Sequence, residues 1–258
     1  MRKKIRKIKE KCSKLLFDRT FIRFISMFIP FHSARHRFRS KMTAFCDNFV
    51  YLVSTTGKKT RLSGFSKVPG MDINLSGTNN KIYLYTPLRF MKSEISMAGS
   101  KNTIIIEKPD QKTQYGISAL KISLKQNRNN RLIHIKKGFS IRSGKLICTG
   151  NNRQIIIGKD CLFSANIMIR TTDQHHIYDA QTKERLNPEK DVIIADHVWL
   201  AQNVTILKGS IVPPNSIIGT NSIYTASSEK EPNMEQSDGN IYVGSPAKCV
   251  RKHISWEG

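Results

Sequence analysis

The chain has 258 residues, 39% of them hydrophobic, with 43 Lys and Arg against 19 Asp and Glu, for a net charge of +24. That is enough chain for a sizeable core, in one large domain or two small ones, and a charge of this size calls for an anionic partner. The five cysteines (Cys12, Cys46, Cys148, Cys161, Cys249) are odd in number, with no CxxC or Cys/His ligand spacing. This excludes a disulfide framework and a zinc site, and implies free thiols in a reducing compartment.

The first segment, 1–47, is expected to be basic, amphipathic and helical. Residues 1–41 carry fourteen Lys and Arg against Glu10 and Asp18. Ile5, Ile8, Cys12, Leu15 and Leu16 fall at helical spacing, and Phe21, Phe24, Ile25, Phe28 and Ile29 continue the apolar face to Pro30. Asp18, Arg19 and Arg23 interrupt "LLFDRTFIRFISMFIPF", which argues against a secretion signal and a membrane span. Two readings stand: a helix lying on an anionic membrane, or a helix capping the following domain.

From there the chain repeats. "INLSGTNNKIYLY", "ISMAGSKNTIIIE", "ISLKQNRNNRLIHI" and "LICTGNNRQIIIG" each place a polar, Asn-bearing turn between two short alternating strands. Asn suits such turns because it tolerates left-handed backbone angles. Farther on the period tightens to six: Ile157, Phe163, Ile169, then Ile194, Leu200, Ile206, Val212 and Ile218. Small residues follow most of the aliphatics, and Val198, Val204, Ser210, Ser216 and Ser222 stand four positions after them. A helix needs spacings of three and four, and a hairpin needs alternation. A period of six instead points two residues of every six inward. Three such segments close a triangular coil of 18 residues, and coils stack at about 4.8 Å.

The hexad run, with "DVIIADHVWLAQNVTILKGS", "SIIGTNS" and "YVGSPAKCVR", resembles the hexapeptide-repeat acyltransferases. The resemblance implies a mainly β, left-handed parallel β-helix over 48–250, with a tail at 251–258. The hand is implied by the family alone, because the general crossover rule favours a right-handed coil. It also implies an O-acetyltransferase using acetyl-CoA, a homotrimer with each active site between two chains, and an acceptor on a cell-surface saccharide such as capsule or lipopolysaccharide. The +12 charge carried outside residues 1–41 favours an acidic acceptor.

Residues 171–191 break the hexads and form the candidate active-site loop. Asp173, Gln174, His175, His176 and Ile177 match the family's D-x-H-x-I element, which makes His175 the expected general base and His176 the variable position. Imidazole titrates near neutral pH and can take a proton from a sugar hydroxyl. Asp173 orients the imidazole or shapes the turn, and Tyr178 and Arg185 are expected on the acceptor side. On the donor side the resemblance implies Trp199 beside the acyl-donor tunnel, with packing at a subunit interface as its other reading. It implies the Ala201 amide near the thioester carbonyl, and Gly219 in the coils lining the pantetheine arm. Lys208, Lys248 and Arg251 are expected at the phosphates. Residues 226–240 are expected to form an exposed inserted loop.

Other readings are a nucleotide-linked amino sugar or small metabolite as acceptor, and a non-catalytic basic scaffold. A metal-dependent β-helix needs three converging histidines, and His134, His175, His176 and His197 show no such spacing, so no metal is expected. No nucleic-acid motif accompanies the charge. The expected location is cytoplasmic, with peripheral contact at the inner membrane face through residues 1–41.

Overall fold

The computed structural model describes residues 48–62, 68–109 and 116–257, so the expected N-terminal helix lies outside the described residues. The described chain is built of strands and turns in three sheets of eight, eight and seven strands. The chain visits the sheets in rotation. The first sheet runs from Phe49–Val53 to Ile211–Val212, the second from Phe90–Met91 to Ala247–Ile254, and the third from Met71–Leu75 to Ile223–Tyr224. Apart from an N-terminal hairpin, Phe49–Val53 with Lys59–Arg61, and the closing Gly239–Gly244 with Ala247–Ile254, every strand pairing is parallel. This is the triangular prism that the period of six requires.

The aliphatic ladders fill it. On the first sheet Leu84, Ile106, Ile135, Ile157, Ile194 and Val212 follow one another in register, all buried. Leu200, Ile206, Ile218 and Tyr224 continue the hexad count inside the core. The second inward position is the one four residues later: Val198, Val204, Ser210, Ser216 and Ser222 are fully buried. A coil cannot bury these faces alone, so stability comes from stacking.

Coil length departs from a uniform 18. Ile193 pairs with Ile211, Trp199 with Ile217 and Thr205 with Ile223, each 18 residues on. Upstream, Lys81 pairs with Thr103 and Leu132 with Gln154, each 22 residues on. The difference lies in longer turns at the edge between the third and first sheets, where the Asn-bearing repeats fall. Asn79, Asn130 and Asn152 occupy left-handed backbone there. The side-chain oxygens of Asn48, Asn80 and Asn102 each accept the backbone N–H of the next coil, at Asn80, Asn102 and Arg131. Arg131 ends this buried ladder. Its guanidinium donates to Asn102 Oδ1 and to the carbonyls of Cys148, Ala98, Leu124 and Gln126. Burial lowers its pKa to about 10.

Two tyrosines close the far end. Tyr224 and Tyr242 pack edge to face at 5.2 Å, and their hydroxyls donate to Ile211 O and Glu229 Oε2. The inserted loop crosses from the Tyr224 edge to Asn215, whose amide donates to Gln236 O and Ser237 O. It ends at Gly239, where the next strand begins. The last strand, Ala247–Ile254, runs through the expected boundary at 250, so residues 251–254 pair within the fold.

Candidate functional site

The loop leaves the prism after strand Ile167–Arg170 of the third sheet and returns at Val192–Ile194 of the first. Its base is anchored by Thr171, whose buried hydroxyl donates to Thr149 O and accepts from Thr149 N. Its tip is a short hairpin: Leu186 N donates to Ile177 O, Asp179 N to Glu184 O, and Asp179 Oδ1 accepts from Gln181 N and Thr182 N.

Between base and tip, Asn187 organises the chain around His175. It is buried, at 8% exposure, although its neighbours are solvent-facing. Its amide nitrogen donates to His175 O at 2.8 Å and to Asp173 Oδ2 at 3.0 Å, and its oxygen accepts from Ile177 N at 2.7 Å. Asp173 in turn pairs with Lys208 Nζ at 2.5 Å, from the turn one coil farther on. Burial pushes the Asp173 carboxyl up, but the hydrogen bonds from Lys208 and Asn187 outweigh it and hold its pKa below the ordinary value. The His175 backbone is thus fixed on both sides, and its side chain stays exposed.

The other expected acceptor-side residues are placed differently from one another. His176 Nδ1 lies 3.2 Å from the Tyr178 hydroxyl, and the two exposed rings meet edge to face. Arg185 is committed to the loop itself. It grips both carboxylate oxygens of Glu189 at 3.0 Å and donates to Asn187 O.

On the donor side the structure regroups the expected residues. Trp199, Ile217, Ile241 and Arg251 form one register row across four strands of the second sheet. This row offers an apolar path ending at a cation, which fits a pantetheine arm with phosphates beyond it. Trp256 packs at 6.0 Å from Trp199, stacks on His197 at 4.0 Å and donates from Nε1 to Asn215 O. Lys248 lies exposed on the same final strand as Arg251. Gly219 N donates to Tyr242 O, and a Cβ there would meet Val243 Cγ1 at 2.7 Å, so a larger residue requires the Val243 side chain to shift.

Two of the expected donor-side groups have partners within the fold. Lys208, on the turn between the third and first sheets, pairs with Asp173. The Ala201 N–H donates to Ile218 O at 2.9 Å as part of the coil ladder, so it is engaged rather than poised as an oxyanion donor. Asn187 and Trp256 were not singled out from sequence. Among the described residues no group of three or more His, Cys, Asp or Glu is placed to hold a metal ion. His134 pairs with Glu107, and His197 with Asn215. Cys148 and Cys161 are buried free thiols, pushed up to about 12 by burial.

The loop springs from the edge between the third and first sheets, while Trp199 lies on the second sheet, the face across the prism from that edge.

No protein-family model matches the sequence. A polysialic acid O-acetyltransferase of Neisseria meningitidis is 34% identical over 148 residues, covering 57% of this chain and 65% of that protein. The polysialic acid O-acetyltransferase of Escherichia coli O1:K1 / APEC is 30% identical over 127 residues, covering 46% of this chain and 39% of the relative. The chain therefore spans somewhat under two thirds of the first and well under half of the second. Among solved structures, the polysialic acid O-acetyltransferase OatWY superposes with a TM-score of 0.59 at 31% identity, covering 74% of this chain and 85% of that one. The polySia specific acetyltransferase NeuO superposes with a TM-score of 0.58 at 21% identity, covering 82% and 85%, a likeness of fold. The prism is the left-handed parallel β-helix.

Proposed function

The chain belongs to the family of hexapeptide-repeat acyltransferases, and we propose that it transfers an acetyl group from acetyl-CoA to a hydroxyl of an acidic cell-surface saccharide. The observation that carries this reading is His175, exposed on a loop whose backbone is held by Asn187 and, through Asp173, by Lys208. A sugar hydroxyl is a poor nucleophile until it loses its proton. His175 takes that proton as the oxygen bonds to the acyl carbon, and releases it to the sulfur as the carbon–sulfur bond breaks. General-base help of this kind contributes roughly 10²–10⁴-fold. The thioester, when bound, supplies the activated acyl carbon. Trp199, Ile217, Ile241 and Arg251 are the residues that would hold its carrier, and no metal enters the scheme.

His175 and the Trp199 row lie on opposite sides of one prism. The proposed site is therefore shared: one copy presents the loop, and a neighbour in a homotrimer presents the row. Polysialic acid is the first acceptor to test, because the relatives carry its name and because its carboxylates match the +12 charge of residues 42–258. Residues 1–41 are proposed to hold the enzyme at the inner face of the plasma membrane. The deciding experiment offers acetyl-CoA with polysialic acid, with neutral dextran or with a nucleotide-linked amino sugar, and reads thiol release. Release with the acidic polymer supports the reading. Release with the nucleotide sugar alone replaces it.

A further inference from the structure

Charge is divided unevenly along the prism. Residues 116–170, which precede the loop, hold eleven Lys and Arg against Asp160 alone. Residues 192–257, beyond the loop, hold five against six Asp and Glu. Of these two segments, only the one that precedes the loop is positively charged.

The three faces also differ. Outward rows on the first sheet run through Tyr83, Ile105, Ile156 and Ile193, and on the second through Trp199, Ile217 and Ile241, interrupted on the first by His134. The third sheet is the charged face. Lys121 and Lys145 stand opposite one another in register on neighbouring parallel strands, about 4.8 Å apart, and both are exposed. Like charges so placed repel. Glu94 is in register on the other side of Lys121 and accepts from Ser96. That hydrogen bond outweighs the effect of burial and, with the charges of Lys125, Lys121 and Lys145, holds the Glu94 carboxyl below its ordinary pKa. One coil on, Arg170 donates from Nε to Thr172 O at the root of the loop.

We propose that Lys121, Lys125, Lys145 and Arg170 form a track on the third sheet that holds an anionic polymer as it runs into the His175 loop. The proposal rests on the acidic-acceptor reading above and adds where the chain lies and from which end it arrives. A polyanion crossing these coils meets Lys121 and Lys145 one coil apart, which relieves their repulsion, then passes Met168 in the same row and reaches Arg170 two residues beyond it, while Glu94 and Asp72 end the row on the far side. Beyond the loop the surface has no net positive charge to draw it onward.

The test uses the full chain with Lys121→Glu/Lys145→Glu, and with the neutral pair Lys121→Gln/Lys145→Gln should the reversed pair fail to fold. Lys252→Glu, beyond the loop, is the control. Binding of end-labelled polysialic acid is read by fluorescence anisotropy over a salt series, and KM is measured for the long polymer and for a four-sugar oligomer. The expected result is a polymer Kd raised by about tenfold or more with a shallower salt dependence, as for loss of electrostatic attraction. KM for the oligomer and for acetyl-CoA should stay within about twofold, as for surface changes away from the chemistry. Wild-type turnover of the polymer with unchanged affinity in the variants would overturn the track alone. A wild-type chain that neither binds nor acetylates polysialic acid would overturn the acidic-acceptor reading with it.

Discussion

Asn187 donates to the backbone oxygen of His175 at 2.8 Å from a buried position fourteen residues after Asp173, its other acceptor. It is the residue that makes the exposed loop a defined one. Asn187→Ala removes three hydrogen bonds, each worth about 0.5–1.5 kcal/mol net. The loss falls on the loop rather than on the aliphatic core. Steady-state kinetics should show kcat lowered by about tenfold, as for misplacement of a catalytic group, with the melting temperature nearly unchanged. A wild-type kcat would remove Asn187 from the account of the site.

Lys208 and Asp173 make a pH-dependent clasp. The folded pKa of Asp173 is depressed, so its stabilising contribution is complete above the unfolded carboxylate value and is lost as pH falls through the folded one. Lys208→Met should therefore weaken protection of the loop, read by limited proteolysis, at pH 7. The difference from wild type should begin to shrink only as pH falls below the ordinary aspartate value of about 3.9, and should vanish once it has passed the depressed pKa of wild-type Asp173. A difference that grows on acidification would contradict the assignment.

The opposite placement of the loop edge and the Trp199 row underlies the proposed homotrimer with shared sites. Light scattering at micromolar concentration should give three times the chain mass. Mixing inactive His175→Ala chains with inactive Trp199→Ala chains should restore partial activity through hybrid sites. A fully active monomer would contradict the shared site.

Residues 1–41 carry a charge of +12 and an apolar stripe. Their deletion should abolish binding to anionic vesicles at low salt and leave turnover on a short soluble acceptor intact. Aggregation of the shortened chain would instead favour a helix that caps the prism.

The periodic part of this architecture was legible because from Ile194 to Ser222 every inward position is an aliphatic or a small residue at a fixed count. Ile194 to Ile218 could be read as a coil without any tertiary information. The longer upstream coils blurred because their additional residues are polar turn residues, such as Asn129 and Asn151, which carry no inward signal. At the site, His175 was found through its motif and its break in pattern. Asn187 was not, because one asparagine in a polar loop resembles any other until the chain folds it under His175. The pairing of Lys208 with Asp173 was not legible for a related reason: that the Lys208 turn stacks beneath Asp173 depends on how far the loop is excluded from the coil count. Trp256 lies beyond the repeat, and only the fold brings it back against Trp199.

The most direct test is the comparison of His175→Ala with His176→Ala in acetyl transfer to polysialic acid, on folded protein, with coenzyme A binding measured alongside. The account predicts that His175→Ala lowers kcat by about 10²-fold or more, the loss expected of a general base, while coenzyme A still binds. His176, whose ring meets Tyr178 at the loop surface, should cost less than about tenfold when replaced, as for a loop residue outside the chemistry. The reverse ranking, with His176→Ala the inactive variant and His175→Ala near wild type, would contradict the assignment of the base.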